Sequence, residues 1–87
     1  MQKTFKVVDP VGLHARPATV AVKAASQFQG NVTIQYNGKS TNMKSIMSVM
    51  GLGIPTQAEI TVITEGEGDQ QALENIENTL RAENIIE

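Results

Sequence analysis

Cysteine and tryptophan are absent from the sequence, and it holds only one histidine, one tyrosine and two phenylalanines. Without cysteine there is no disulfide framework, no thiol nucleophile and no thiolate metal site. A single histidine cannot complete a metal site with no second imidazole or thiolate beside it, so no metal and no cofactor are expected. Long apolar runs are missing too: no segment approaches the roughly 20 apolar residues needed to span a bilayer. Met1-Gln2-Lys3-Thr4-Phe5-Lys6 lacks the apolar stretch of a secretory signal, so the cytoplasm is the expected location. Charge of one sign is scarce as well. Seven basic residues stand against nine acidic ones, and the basic ones are scattered. A nucleic-acid binder calls for a basic stripe, and a single-strand binder adds aromatic stacking platforms. Phe5, Phe28 and Tyr36 do not form such a platform, which leaves protein partners and small anions.

What is present suits one small domain over residues 1–87, with a thin core. Thr4 to Val8 reads as a strand, with Phe5 and Val7 on one face and Thr4 and Lys6 on the other. Asp9-Pro10-Val11-Gly12 breaks it. From about Arg16 to Phe28 the pattern turns helical: Ala18, Ala21, Val22, Ala25 and Phe28 recur at spacings of three and four, and Gly30-Asn31 closes the segment. Val32, Ile34 and Tyr36 then alternate with polar residues, and Asn37-Gly38 is a two-residue hairpin signal. The returning strand, Lys39 to Met43, is polar enough for a sheet edge. Ser45 to Met50 forms one or two helical turns ended by Gly51 and Gly53, with Leu52 expected in the core. Glu59 to Glu65 is another alternating strand. Asp69 suits an N-cap for a last helix that turns Leu73, Ile76 and Leu80 inward. The order is βαββαβα, one sheet with helices able to cover a single face.

The stretch Gly12-Leu13-His14-Ala15-Arg16-Pro17-Ala18 carries the chemistry. Pro17 is placed in the first helical turn, where a missing N–H loses no helical bond. The neighbouring amides and the helix dipole make an anion site there. Arg16 adds a planar, permanently charged fork suited to phosphate oxygens. His14 stands just before both. Much of a free imidazole is neutral and nucleophilic near pH 7, and its phosphoramidate is labile enough to give the group up again. Each residue has an ordinary role as well: His14 as a loop or capping residue, Pro17 as a helix starter, Arg16 as a solvated side chain. Their combination favours phosphate chemistry.

These seven residues resemble the active-site signature of the HPr family, the histidine-containing phosphocarriers of the bacterial phosphoenolpyruvate:sugar phosphotransferase system. Asn42-Met43-Lys44-Ser45-Ile46-Met47 resembles the second signature of that family, in its Gram-positive form. The resemblance extends over essentially the whole chain. It implies an α+β fold, an open-faced β-sandwich: a four-stranded antiparallel sheet with three helices on one face. It also implies that enzyme I, charged by phosphoenolpyruvate, phosphorylates His14 on Nδ1, that Arg16 assists, and that sugar-specific enzyme IIA domains receive the group. The carrier itself is then a relay and not an enzyme. A relative within the family lacks the histidine and acts only in regulation; His14 is present here.

Ser45 is placed to cap the short helix, a structural role worth about 1 kcal/mol. The resemblance adds a second role: Ser45 matches the serine phosphorylated by the ATP-dependent HPr kinase/phosphorylase, after which the catabolite control protein binds the carrier as corepressor. A phosphate at a helix N-terminus is compatible with the fold, while its charge changes any docking surface nearby. Ile46, Met47 and Met50 are candidates for that surface, with Ile46 and Met47 expected outward and Met50 partly buried. One departure from the family pattern occurs here: Ser48 and Gly51 have exchanged residue types. Two other readings compete with the relay. One is a purely regulatory binding module acting through Ser45; the other is a compact enzyme using His14 as general base. A monomer is expected.

Overall fold

The computed structural model describes all 87 residues. Seven elements follow in the expected order: β1 (Gln2–Lys6), α1 (Ala15–Ser26), β2 (Asn31–Tyr36), β3 (Lys39–Asn42), α2 (Ile46–Gly51), β4 (Glu59–Glu65) and α3 (Asp69–Ala82). The strands form one antiparallel sheet in the order β1-β4-β2-β3, and the three helices pack on one of its faces. The fold is the open-faced sandwich that the resemblance implies.

Period-two alternation sets which strand residues meet the helices. Phe5, Val32, Ile34, Ile60 and Val62 are buried with Ala18, Ala21 and Ala25 of α1 and Leu73, Ile76 and Leu80 of α3. Alanines along α1 leave little between its backbone and the layer below, so the helix lies close. Each fully buried Ile, Leu or Val contributes roughly 1.5–3 kcal/mol. On the opposite face the register aligns Gln2, Ile63, Thr33 and Asn42 in one row, and Thr4, Thr61, Gln35 and Ser40 in the next. The Thr4 and Thr61 hydroxyls share a 3.0 Å hydrogen bond there. At the hairpin, Asn37 and Gly38 take φ of 53° and 79°, the left-handed pair that a two-residue β-turn requires.

Several boundaries differ from the sequence reading. β1 begins at Gln2 and leaves the ladder after Lys6, because Val7 finds other partners. Its N–H donates to Ala58 O at 2.8 Å, and Val7 forms an isolated bridge with Ile86. α1 stops at Ser26, short of Phe28, as its last turn tightens and Phe28 N–H reaches back only to Ala25 O. Gly68, with φ of 82°, occupies the N-cap of α3, and Asp69 is its first helical residue. In α2 the fully buried side chain is Val49, while Leu52 is only half-buried.

One ion-pair cluster ties α3 to the sheet. Glu77 accepts from Arg81 Nη1 at 2.7 Å and from Lys3 Nζ at 3.0 Å. These bonds, Arg81 first, hold the Glu77 carboxyl below its ordinary 4.5. A depressed folded pKa stabilises the fold above the unfolded value and stops doing so as pH drops through the folded one. Glu77→Gln is therefore expected to cost up to about 1 kcal/mol at neutral pH. In urea titrations the gap to wild type should close as the solution is acidified past 4.5.

Candidate functional site

The loop leading into α1 is held on both sides of His14. Asp9 accepts the Gly12 N–H through its carbonyl at 2.9 Å and the Val11 N–H through Oδ1 at 3.1 Å. Gly12 has φ of 72° and lies against the Ile54–Pro55 backbone, where a Cβ would overlap the Ile54 carbonyl. Leu13 donates to that same carbonyl at 3.0 Å and buries its side chain completely. Beyond His14, Pro17 and Ala18 are buried. The histidine backbone is thus fixed while its ring stays half-buried at the surface.

His14 is the N-cap residue of α1, with extended φ and ψ of −126° and 159°, and its side chain makes no capping hydrogen bond. Ala15 follows with φ of 51°, a left-handed conformation that costs an L-residue roughly 1–2 kcal/mol. The Ala15 and Arg16 N–H groups find no backbone acceptor, and Pro17 has no N–H to offer. Two free donors therefore stand beside an imidazole that no hydrogen bond within the chain commits to capping. The Arg16 guanidinium already has a partner. Its Nη1 donates to Glu83 Oε1 at 2.8 Å, just past the end of α3. Sequence reasoning missed Glu83; 67 residues separate it from Arg16, and no local pattern marks it.

The second candidate is the start of α2. Ser45 is its N-cap, and its Oγ accepts the Ser48 N–H at 3.3 Å. Lys44 is tied down beside it, with Nζ donating to Phe28 O at 2.6 Å. Met47 is 79% exposed and Met50 38%, the two large apolar side chains that α2 leaves in solvent. Ile46, expected outward, is instead half-buried and packs against the core. It and Val49 take the inner side of the helix, which turns Met50 out further than expected. The exchange of Ser48 and Gly51 has a benign geometry. Ser48 serves the cap through its backbone N–H, which any residue but proline supplies, and a Cβ at Gly51 would meet nothing within 4 Å. The helix is ended by Leu52, whose N–H returns to Val49 O, and by Gly53 at φ of 65°. α1 and α2 are in contact, so the two candidates sit on touching helices.

Comparison with known proteins bears directly on this arrangement. Residues 1–82 match the family model described as the PTS HPr component phosphorylation site. The chain belongs to the HPr family. The histidine-containing phosphocarrier protein of Mycoplasma is 42% identical over 100% of this chain and 99% of its own, with a TM-score of 0.95. Phosphocarrier protein HPr from Bacillus anthracis is 40% identical over 91% of this chain and 94% of its own, with a TM-score of 0.84. Crh, the catabolite repression HPr of Bacillus subtilis, is 39% identical over 91% of this chain and 94% of its own, at 0.65. Membership in the HPr family makes the chain a phosphocarrier of the phosphotransferase system, and sugar transport follows from that system.

Gly12 is the residue on which the site geometry turns. Gly12→Ala adds a left-handed alanine and a backbone overlap, so it is expected to destabilise the fold by roughly 2–4 kcal/mol. Chemical denaturation measures the loss, and the amide resonances of Leu13 to Arg16 should shift in whatever folded fraction remains.

Proposed function

We propose that His14 is the residue that carries the phosphoryl group, taking it from phosphorylated enzyme I and passing it to enzyme IIA domains. The observation that supports this best is the uncommitted imidazole at the α1 N-cap, next to the free Ala15 and Arg16 amides. In the neutral ring with its proton on Nε2, the Nδ1 lone pair attacks phosphorus. The N–P bond forms as the bond from phosphorus to the enzyme I donor atom breaks, and the ring proton stays on Nε2. The three phosphoryl oxygens then meet the α1 amides and the positive end of its dipole, which lowers the energy of the charged product. Transfer to an enzyme IIA acceptor runs the same exchange in the other direction. His14 lines none of the three surface hollows, so the donor is better presented by a protein that covers the loop than by a free small molecule in a pocket. These partners and the chemistry between them are events of the cytoplasm.

Ser45 is proposed as a regulatory site, phosphorylated by HPr kinase/phosphorylase and then recognised by the catabolite control protein. The likeness to Crh and the position of Ser45 at a helix N-terminus beside exposed Met47 and Met50 support this. A phosphate there is compatible with the helix dipole, and its charge of about −1.5 to −2 opposes docking of an apolar or acidic surface on α2.

Incubation with phosphoenolpyruvate and enzyme I, followed by mass spectrometry, is expected to show one acid-labile phosphate on His14. His14→Ala should take up none while keeping its stability to within about 0.5 kcal/mol. Phosphate retained in that variant would overturn the assignment. Ser45→Asp is expected to slow transfer from enzyme I while His14 remains phosphorylatable, and stopped-flow or quench kinetics read the difference. Unchanged kinetics would remove the regulatory reading.

A further inference from the structure

The chain has four methionines and no cysteine, so thioether is the only oxidisable sulfur it owns. The fold sorts the four by access. Met43 follows β3 with its N–H bonded to Val32 O at 2.9 Å, and its side chain is fully buried. Met1 is half-exposed beside β1, at the sheet edge opposite β3, whereas α2 packs against β3 and α1. Met47 and Met50 take the outer side of α2, and of the two Met47 is twice as exposed, at 79% against 38%.

Packing does not explain a methionine at position 47. Leucine would serve an exposed helical position with a similar helix propensity and no reactive atom. What methionine adds is a polarisable sulfur whose lone pairs attack electrophilic oxygen. Ile46 and Val49 hold the inner side of the helix, so the Met47 tip can change its chemistry without disturbing the core.

We propose that Met47 is an oxidation site through which hydroperoxides weaken capture of the carrier by enzyme I. The inference rests on the reading of the α2 surface as part of the face that enzyme I covers. The Met47 Sδ lone pair attacks one oxygen of hydrogen peroxide. An S–O bond forms as the O–O bond breaks, and the departing hydroxide takes up the proton of the transferred oxygen. Sulfur loses two electrons, the peroxide is reduced to water, and the product is methionine sulfoxide. An apolar tip thereby becomes a strong acceptor, which a partner's surface then buries without a matching donor. Two thiols, oxidised to a disulfide, would return the sulfur to thioether. This chain has none, so the resetting electrons come from a separate reductase. The mark differs in kind from a phosphate on Ser45: it adds a dipole and no charge, on a helix that itself carries no charged residue.

The test treats the folded, full-length protein with hydrogen peroxide, maps the added oxygen by peptide mass spectrometry, and then measures phosphoryl transfer from enzyme I. Met47 is expected to gain oxygen ahead of Met50, while Met43 gains none. The half-saturating carrier concentration should rise roughly five- to thirtyfold, and methionine sulfoxide reductase should restore it. That rise should persist at high salt, unlike the effect of Ser45→Asp, which screening reduces. Treated Met47→Leu should keep the value it had before treatment. Oxidation of Met43 or Met50 ahead of Met47 overturns the proposal. So does a loss that fades with salt or that persists in Met47→Leu. Met47→Gln makes the tip polar without oxidation and separates the two readings. Normal capture of Met47→Gln overturns the docking reading and this inference with it; weakened capture of Met47→Gln beside normal capture of the sulfoxide overturns the inference alone.

Discussion

A single layer of apolar side chains, between alternate strand residues and the inner sides of three helices, holds the molecule together. Everything else follows from that one-sided burial. The flanks of the helices are consumed by packing, so their ends are the backbone left free for chemistry. α1 lies close to the sheet because Ala18, Ala21 and Ala25 hold nothing bulky between them and the strands. Its first turn is then placed by the Leu13 anchor and by the contact of Gly12 with the Ile54–Pro55 backbone.

Both candidate sites use this same resource in different ways. At α1 the N-cap side chain, His14, makes no cap bond and leaves donors unpaired. At α2 the N-cap side chain, Ser45, spends its oxygen on the Ser48 amide. The first arrangement leaves amide donors open beside an imidazole; the second is a closed structural cap that a covalent phosphate would have to rebuild. A labile phosphoramidate suits the first and a stable phosphate ester the second. The Arg16–Glu83 pair connects the open site to α3, so the end of the last helix is electrostatically part of the beginning of the first.

Much of this could be read from the chain itself. Alternation in Val32-Thr33-Ile34 and Ile60-Thr61-Val62, and the Asn37-Gly38 turn, are local signals, and the strands and hairpin lie where those signals place them. The two signatures around His14 and Ser45 identified the family because residue type and spacing carry it. What escaped was decided at a distance. β1 is displaced because Val7 and Val8 pair with Ala58 and Ile85, contacts that no period within β1 encodes. Ile46 turned out to pack inward because a helix of six residues is too short for a period to distinguish it from Met50. Glu83 was invisible for the same reason that makes it informative: its partner is at the other end of the sequence.

The uncovered sheet face has a practical use. Thr33, Gln35 and Thr61 project from the layer opposite the helices, away from both N-caps. Because the chain has no native thiol, a cysteine at Gln35, which is already solvent-exposed, would be its sole attachment point for a fluorophore. A dye there would follow tumbling and partner capture from behind, without obstructing either helix end.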